Sequence, residues 1–159
     1  VYIIKEFVKM LKLVKGDIFE SDADVILHQV NCQGVMGSGV AKQVREKYPI
    51  VFQYYKSWCD DPHLRPGLLG QIQTVYTDNT GKQAIINLFS QEKYGRDGKR
   101  YTDYKALESC LKSVNKQFKG STVAIPYHMS CDRGGGDWSV VSKIIEGALP
   151  DCEVTLYER

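Results

Sequence analysis

The stretch "NCQGVMGSGVAKQ" (31–43) joins a segment typical of a β-strand to one typical of an α-helix. Its centre, from Gly34 to Gly39, consists largely of glycine and serine. Residues this small either permit a tight turn or let a ligand approach the backbone closely. A second stretch, "HMSCDRGGG" (128–136), has the same character. The chain therefore has two connections whose peptide groups are not covered by large side chains.

Apolar segments indicate the strands on which these connections depend. The runs "DVILHQV" (24–30) and "STVAIPY" (121–127) contain the continuous apolar residues of strands that are covered on both faces. Two further strand-like segments, "GQIQTVY" (70–76) and "QAIINLF" (83–89), are close enough in the chain to form a hairpin. The pattern predicts a mixed, mostly parallel sheet.

Helix-like segments alternate with these strands. "GVAKQVREKY" (39–48) is followed by Pro49 and a second helix, "IVFQYYKSW" (50–58). Thr102 and Asp137 are suitable N-caps for two later helices. Strands that alternate with helices predict an α/β fold, a three-layer α/β/α sandwich. In the second helix, the residues at helical spacing on the predicted apolar stripe are Val51, Tyr54, Tyr55 and Trp58.

A length of 159 residues favours one domain. Because "MLKLVKGD" starts a new pattern at Met10, we expect residues 10–159 to form that domain. Residues 1–9 then form either an N-terminal extension or an added edge strand. We expect the protein to be a monomer.

Composition excludes several classes of function. The chain is 43% hydrophobic but has no apolar run of the roughly 20 residues that a membrane span needs. A net charge of +2 gives no strong case for a nucleic-acid partner. The five cysteines are widely spaced and form no CxxC pair, which indicates reduced thiols, no metal site and a cytoplasmic location.

Glycine-rich connections of this kind are suited to anions. Where a parallel strand leads into a helix, free backbone N–H groups point toward the carboxyl edge of the sheet. Two such connections side by side can hold a diphosphate between them. The first is not a Walker A motif, because Val40 and Ala41 follow Gly39 where that motif has Lys and Ser or Thr.

Three segments together resemble the signature segments of macrodomains, the ADP-ribose-binding modules. They are "VKGDIF" (14–19), "ILHQVNCQGVMGSGVA" (26–41) and "IPYHMSCDRGGGDW" (125–138). The likeness extends over residues 11–158 and is greatest for the branch that contains a terminal ADP-ribose protein glycohydrolase and an ADP-ribose-1''-phosphate phosphatase. The resemblance implies ADP-ribose or an ADP-ribosylated protein as partner, with ADP-ribose as a ligand and no cofactor.

The resemblance also implies binding roles. Asp17 would accept a hydrogen bond from the adenine amino group beside the Ile18 backbone, and Asn31 would contact the distal ribose. Phe89 or Tyr94 would stack on a ring. From the residues alone, each of these is equally a turn, strand-end or core residue. The residues that the resemblance places against the ligand are Asp17, Ile18, Asn31, Gly34, Val35, Met36, Gly37, Ser38, Gly39, Val40, Phe89, Gln91, Ser130, Cys131, Asp132, Arg133, Gly134, Gly135 and Gly136.

The catalytic pattern of that branch is not preserved. Gln91 and Gly134 occupy the places of its lysine nucleophile and its aspartate, and a glutamine cannot form the covalent intermediate of a lysine. Another branch has an aspartate where this chain has Ala41. Lys93 could substitute only if its loop had a different register.

Other residues are candidates for activating a water molecule. Asp132 and His128, next to the second glycine-rich connection, are candidate bases, with Asn31 orienting the water. His28, inside an apolar strand, is interpreted as a core histidine. Cys32 and Cys131 are interpreted as packing residues.

Two functions remain open on this evidence. The protein either hydrolyses an ester, glycosidic or phosphate link at the distal ribose of ADP-ribose derivatives, which we favour, or binds ADP-ribose without turnover. A third hypothesis, binding of another nucleotide, stays open because backbone N–H groups recognise phosphates and not the base.

Overall fold

A computed structural model describes residues 11–159. The hypotheses for residues 1–9 lie outside the described residues. The strands are β1 (Lys12–Lys15), β2 (Val25–Asn31), β3 (Ile72–Tyr76), β4 (Ala84–Gln91), β5 (Thr122–Pro126) and β6 (Glu153–Glu158). The α-helices are α1 (Gly39–Lys47), α2 (Pro49–Asp60), α3 (Tyr104–Gln117) and α4 (Trp138–Ala148).

These strands form one sheet in the order β1-β6-β5-β2-β4-β3. All neighbours are parallel except β3, which pairs with β4 as the predicted antiparallel hairpin. The central strands β2 and β4 are almost completely buried, as their continuous apolar runs require. The carboxyl ends of β2, β4 and β5 therefore meet at one edge of the sheet.

Helices cover both faces of this sheet. On one face, Leu27 and Ile86 of the sheet pack with Leu111 of α3 and Ile145 of α4. On the other face, α1 and α2 contribute the buried Val44 and Val51 to a cluster that contains Ile26 of β2 and Ile85 of β4. The arrangement confirms the predicted three-layer α/β/α sandwich. Among the described residues, no helix has the length and apolar content needed to cross a membrane.

The N-caps show where local sequence signals were sufficient. Asp137 caps α4 as predicted, because its Oδ1 accepts from the backbone N–H of Ser139 at 2.9 Å. The predicted cap of α3 was wrong. Asp103 fills that position and accepts from Ala106, while Thr102 is buried and bonded elsewhere. Both residue types make good N-caps, so tertiary contacts decide between these neighbours.

Candidate functional site

A cavity of about 520 Å³ opens at the carboxyl ends of β2, β4 and β5. Three connections surround it: loop 1 (residues 32–38) after β2, loop 2 (residues 127–137) after β5, and loop 3 (residues 92–103) after β4. Its volume falls within the roughly 300–1,000 Å³ of small-molecule sites. Both glycine-rich connections therefore face the same space, as their positions after parallel strands predicted.

The first part of loop 1 is held by a buried phenol. The hydroxyl oxygen of Tyr55 on α2 accepts hydrogen bonds from the backbone N–H groups of Gly34 and Val35, each at 3.1 Å. The same hydroxyl lies 2.7 Å from the Asn31 carbonyl oxygen and 2.8 Å from its Oδ1. Gly34 adopts a φ of 81°, which glycine tolerates readily. These two predicted phosphate donors are therefore already bound within the protein.

Asn31 is the centre of the same turn. Its Nδ2 donates to the Val35 carbonyl at 2.8 Å, and its Oδ1 accepts from the Gln33 N–H at 2.9 Å. The side chain lines the cavity, and its second Nδ2 hydrogen has no acceptor among the described residues. Asn31 thus shapes loop 1 and keeps one hydrogen-bond donor available.

The later part of loop 1 presents its peptide groups to the cavity. Ser38 is the N-cap of α1, yet its side chain makes no capping hydrogen bond. Since the first N–H groups of a helix have no partner within it, those of 39–41 are available. Within residues 11–159, the N–H groups of 36–38 have no acceptor either. This row of donors is suited to an anion.

Loop 2 exposes a second set of donors. Its turn closes through bonds from Gly136 N–H to the Ser130 carbonyl at 2.8 Å and from Gly135 N–H to the Asp132 carbonyl at 3.2 Å. No acceptor among the described residues binds the N–H groups of Ser130 and 132–134. His128 and Ser130 have φ values of 61° and 73°, which non-glycine residues seldom adopt. The turn therefore leaves N–H groups without acceptors in a segment that lines the cavity, at the cost of backbone strain.

Gln29 of β2 supports loop 2 from below. Its Oε1 accepts from the hydroxyls of Ser130 at 2.6 Å and Ser90 at 2.7 Å. Its Nε2 donates to Gln91 Oε1 at 2.7 Å and to Thr102 Oγ1 at 2.8 Å. One amide thus links β2, the end of β4, loop 2 and the end of loop 3.

Gly134 lies directly against this network. A Cβ atom on Gly134 would collide with Thr102 Oγ1 and would lie 2.6 Å from the Ser130 carbonyl oxygen and 2.7 Å from Gln29 Nε2. The Gly134 carbonyl also accepts from the N–H groups of Tyr101 and Thr102. Only glycine fits, so the position that holds a catalytic aspartate in the resembling branch has a packing role here.

Most of the predicted site residues line the cavity. Their contacts with a ligand stay predictions, but the structure brings the following together: Asn31, Val35, Gly37, Ser38, Gly39, Val40, Gln91, Tyr94, His128, Ser130, Asp132, Arg133 and Gly134.

Other predicted residues do not line the cavity. Asp17 accepts from the Phe19 N–H at 2.9 Å as the cap of a 3₁₀ turn, and Ile18 is buried in the core. Phe89 is fully buried between the rings of Tyr55 and Trp58, so it cannot stack on a ligand. The remaining residues outside the lining are Gly34, Met36, Cys131, Gly135 and Gly136.

The titratable groups of the site differ in accessibility. Asp132 and His128 are exposed, and the His128 ring stacks on that of Tyr127 with centroids 3.9 Å apart. Burial raises the pKa of the Cys32 thiol to about 12 and, with the charge of Asp137 as a second cause, that of Cys131 to about 11. Both thiols are protonated at neutral pH and are poor nucleophiles.

The sequence alone did not identify several functional residues. Gln29 and Thr102 organise loop 2, while Arg96 lines the cavity from loop 3. The polar Gln29 inside a largely apolar strand was the available signal. No group of three or more His, Cys, Asp or Glu side chains within residues 11–159 is arranged to hold a metal ion.

Comparison with known proteins identifies the family. Residues 27–145 match the family model of the Macro domain. The chain belongs to the Macro domain family. This confirms the resemblance to macrodomains, and the matched residues include most of the second signature segment and all of the third. The match includes most of β2, both loops and most of α4.

Named relatives include two kinds of hydrolase. The chain is similar to a DNA ADP-ribosyl glycohydrolase of Mycobacterium tuberculosis, with 30% identity over 93% of this macrodomain and 42% of the relative. It is also similar to an ADP-ribose 1''-phosphate phosphatase of Aspergillus oryzae, with 35% identity over 54% of this chain and 59% of the relative. The macrodomain thus spans less than two thirds of each of these relatives.

A solved structure shows the same architecture. The macrodomain of Mycobacterium tuberculosis DarG superimposes with a TM-score of 0.76 and 26% sequence identity, covering 94% of this chain and 98% of that one. The α/β/α sandwich described above is therefore the macrodomain fold.

Proposed function

We propose that this macrodomain binds ADP-ribose with the diphosphate held between loop 1 and loop 2. The observation that carries the proposal is that the N–H groups of 37–41 and of 132–134 lack acceptors within the described residues and belong to two segments that line one cavity. A diphosphate bears several anionic oxygens and needs donors on more than one side. Arg96 and Arg133 add positive charge to the lining.

We further propose that the protein hydrolyses a bond at the distal ribose. Asp132 and His128 both line the cavity and are exposed, so either can take a proton from a water molecule. The water oxygen would form a bond to the anomeric carbon, or to phosphorus in a phosphate ester, and the bond to the leaving group would break. The leaving oxygen or nitrogen would take up a proton. Relatives named as hydrolases support this proposal.

The proposed hydrolysis has three candidate substrates, which differ in their leaving groups. The names of the relatives make ADP-ribosylated DNA and ADP-ribose-1''-phosphate the first substrates to assay. Glutamate-linked ADP-ribosyl protein is the third, from the branch that the sequence resembles. Because the chain covers only part of these relatives, none of the three substrates is assigned in advance.

Calorimetry and turnover assays test the two parts separately. Titration with ADP-ribose should give binding in the micromolar range, about −8 kcal/mol. Asp132→Asn or His128→Gln should lower turnover about 100-fold, typical of a lost general base, while affinity for ADP-ribose changes little. A folded protein that gives no heat with ADP-ribose contradicts the binding proposal. Full activity of both variants contradicts the assignment of the base.

A reader of ADP-ribose is the second candidate function. Gln91 stands where the resembling branch has its lysine nucleophile, and its Nε2 donates to the Lys93 carbonyl at 2.7 Å. This contact stabilises loop 3 but supplies no nucleophile. Binding of ADP-ribose without product from any of the three substrates would favour the reader.

We also propose a monomer in the cytoplasm. The thiols of Cys32, Cys59, Cys110 and Cys131 are free, and such thiols are typical of a reducing compartment. Sedimentation and cell fractionation test this proposal. A dimer at micromolar concentration would contradict the first part, and recovery outside the cytoplasm would contradict the second.

A further inference from the structure

Positive charge is concentrated in one segment of the chain, although the net charge of the whole is only +2. Residues 93–119 contain eight of the 21 Lys and Arg residues but only three of the 19 Asp and Glu residues. This segment comprises most of loop 3 and all of α3. A local excess of positive charge is typical of a surface that binds a polyanion, and the overall net charge conceals it.

Three lysines of α3 lie on one face of the helix. Lys105, Lys112 and Lys116 are seven and four positions apart, and residues at these spacings project from the same side of a helix. All three are exposed, and together they line a shallow depression on the surface. With a rise of about 1.5 Å per residue, the three lysines span about 17 Å. The helix therefore presents an extended row of cations.

Loop 3 extends this row toward the cavity. The Arg100 guanidinium lies over the ring of Tyr104, the first residue of α3, at 4.2 Å from the ring centroid. The Tyr101 hydroxyl donates to the Asp97 carboxylate at 2.9 Å, which closes loop 3 into a turn. Arg96 belongs to the same turn and lines the cavity. We call these five cations the basic stripe: Arg96, Arg100, Lys105, Lys112 and Lys116.

Acidic side chains neutralise little of the basic stripe. Lys112 pairs with Glu108 at 3.1 Å. The other four members have no ion pair with any of the described residues. By contrast, Lys42 of α1 and Lys56 of α2 each pair with an acidic residue four positions later. Exposed cations that lack such partners are available to the phosphates of a ligand.

We propose that the basic stripe binds the phosphate backbone of a single-stranded nucleic acid, whether or not ADP-ribose occupies the cavity. An extended row of cations matches a chain of phosphates better than it matches a compact anion. Tyr94 is 53% exposed and lies two positions before Arg96, so it offers a ring on which a base can stack. A membrane surface is a poorer match, because the large exposed hydrophobic residues of the described chain include none on α3.

Fluorescence anisotropy of the native protein tests the proposal, with labelled oligothymidylate and oligouridylate of about 15 nucleotides as probes. Both probes should bind in the absence of ADP-ribose, and their affinity should fall as the salt concentration rises. Polyglutamate of similar length should compete weakly, because it carries charges but no bases. Equal competition by polyglutamate, or tighter binding of a DNA duplex, would contradict the assignment to a single strand.

A triple variant, Lys105→Gln with Lys112→Gln and Lys116→Gln, tests which surface is responsible. It removes three exposed charges and leaves the buried face of α3 intact. Each phosphate contact contributes about 0.7 to the slope of log affinity against log salt for a single strand, so the slope should fall by about 2. At about 0.1 M salt this corresponds to a roughly 100-fold loss of affinity for either probe.

The matched control combines Lys12→Gln, Lys42→Gln and Lys82→Gln, which removes three exposed charges from other parts of the surface. It should bind both probes about as tightly as the parent. Equal losses in the two triple variants would show that total charge matters and the basic stripe does not.

The inference does not depend on the proposed function, and the two can fail separately. Calorimetry should give the same affinity for ADP-ribose in the parent and in both triple variants. If the folded native protein binds neither oligonucleotide, the role of the basic stripe is refuted, whatever the result with ADP-ribose. If the oligonucleotides bind but ADP-ribose does not, the proposed function fails and this inference stands.

Discussion

Loop 1 and loop 2 both follow buried parallel strands and both are rich in glycine, yet different groups support them. Loop 1 is held by one phenol, since the Tyr55 hydroxyl binds two of its N–H groups. Loop 2 is held by the side chains of Gln29 and Thr102, which bind the hydroxyl and the carbonyl of Ser130. An aromatic side chain from a helix thus supports one wall, and a polar network supports the other.

The glycines differ in the same way. A Cβ atom on Gly37 would meet only Val35 Cγ1, at an ordinary 3.5 Å, whereas one on Gly134 would have no room. Gly37 of loop 1 therefore leaves space for a group from outside the chain. Gly134 of loop 2 is needed for the chain to pack against itself. Similar composition in two loops does not imply the same physical reason.

The largest effect on stability is expected from Gly134→Ala. The new methyl group must displace Thr102 or the Ser130 carbonyl, and overpacking of this kind costs about 1–3 kcal/mol of unfolding free energy. Loop 2 would shift, so affinity for ADP-ribose should fall as well. Chemical denaturation and calorimetry measure the two effects.

Gly147→Ala is the matched control for that prediction. Gly147 lies on α4, and a Cβ atom there would meet no other atom within 4 Å. Alanine favours a helix over glycine by up to about 1 kcal/mol, so this variant should be as stable as the parent or more stable. Equal stability of Gly134→Ala and the parent would contradict the packing role of Gly134.

Tyr55→Phe should have the next largest effect. It removes the hydroxyl that accepts from Gly34 and Val35, so the buried Gly34 N–H loses its partner and the Val35 N–H keeps only a contact of 3.4 Å with Asn31 Oδ1. The expected loss of unfolding free energy is about 1–3 kcal/mol. Loop 1 should also become less ordered, which amide hydrogen exchange at Val35 can measure.

The neighbouring Tyr54 offers a close control. Tyr54 is 52% exposed. Its backbone carbonyl accepts a hydrogen bond from Gln73, but its hydroxyl has no hydrogen-bond partner among the described residues. Tyr54→Phe should therefore change stability by less than about 0.5 kcal/mol. If the two variants lost stability equally, the Tyr55 hydroxyl would not be the support of loop 1.

The same pair of tyrosines shows the limits of sequence patterns. Helical spacing placed both on an apolar stripe, but only Tyr55 is buried, because a stripe defines a face and not the depth of each position. The strands were easier to predict. The apolar runs of β2 and β5 identified buried strands, and their order along the chain indicated a common edge for the two loops.

Long-range polar contacts could not be predicted from the sequence. Gln29 and Ser130 are 101 positions apart and meet only because β2 and β5 are neighbours in the sheet. Thr102 was predicted as a helix cap from its local context, but its hydroxyl instead bonds to the Ser130 carbonyl across 28 positions. Such partners follow from topology and register, which local propensities do not encode.

The smallest effect on stability, and the clearest difference between the two loops, is expected from Gly37→Val. Its φ is not positive and the space around it is open, so we expect unfolding free energy to change by less than about 0.5 kcal/mol. The branched side chain would nevertheless stand beside the free N–H groups of loop 1 and block a phosphate. Affinity for ADP-ribose should be lost while the melting temperature is kept. Gly134→Ala lowers both, so unchanged binding in folded Gly37→Val would show that loop 1 does not hold the diphosphate.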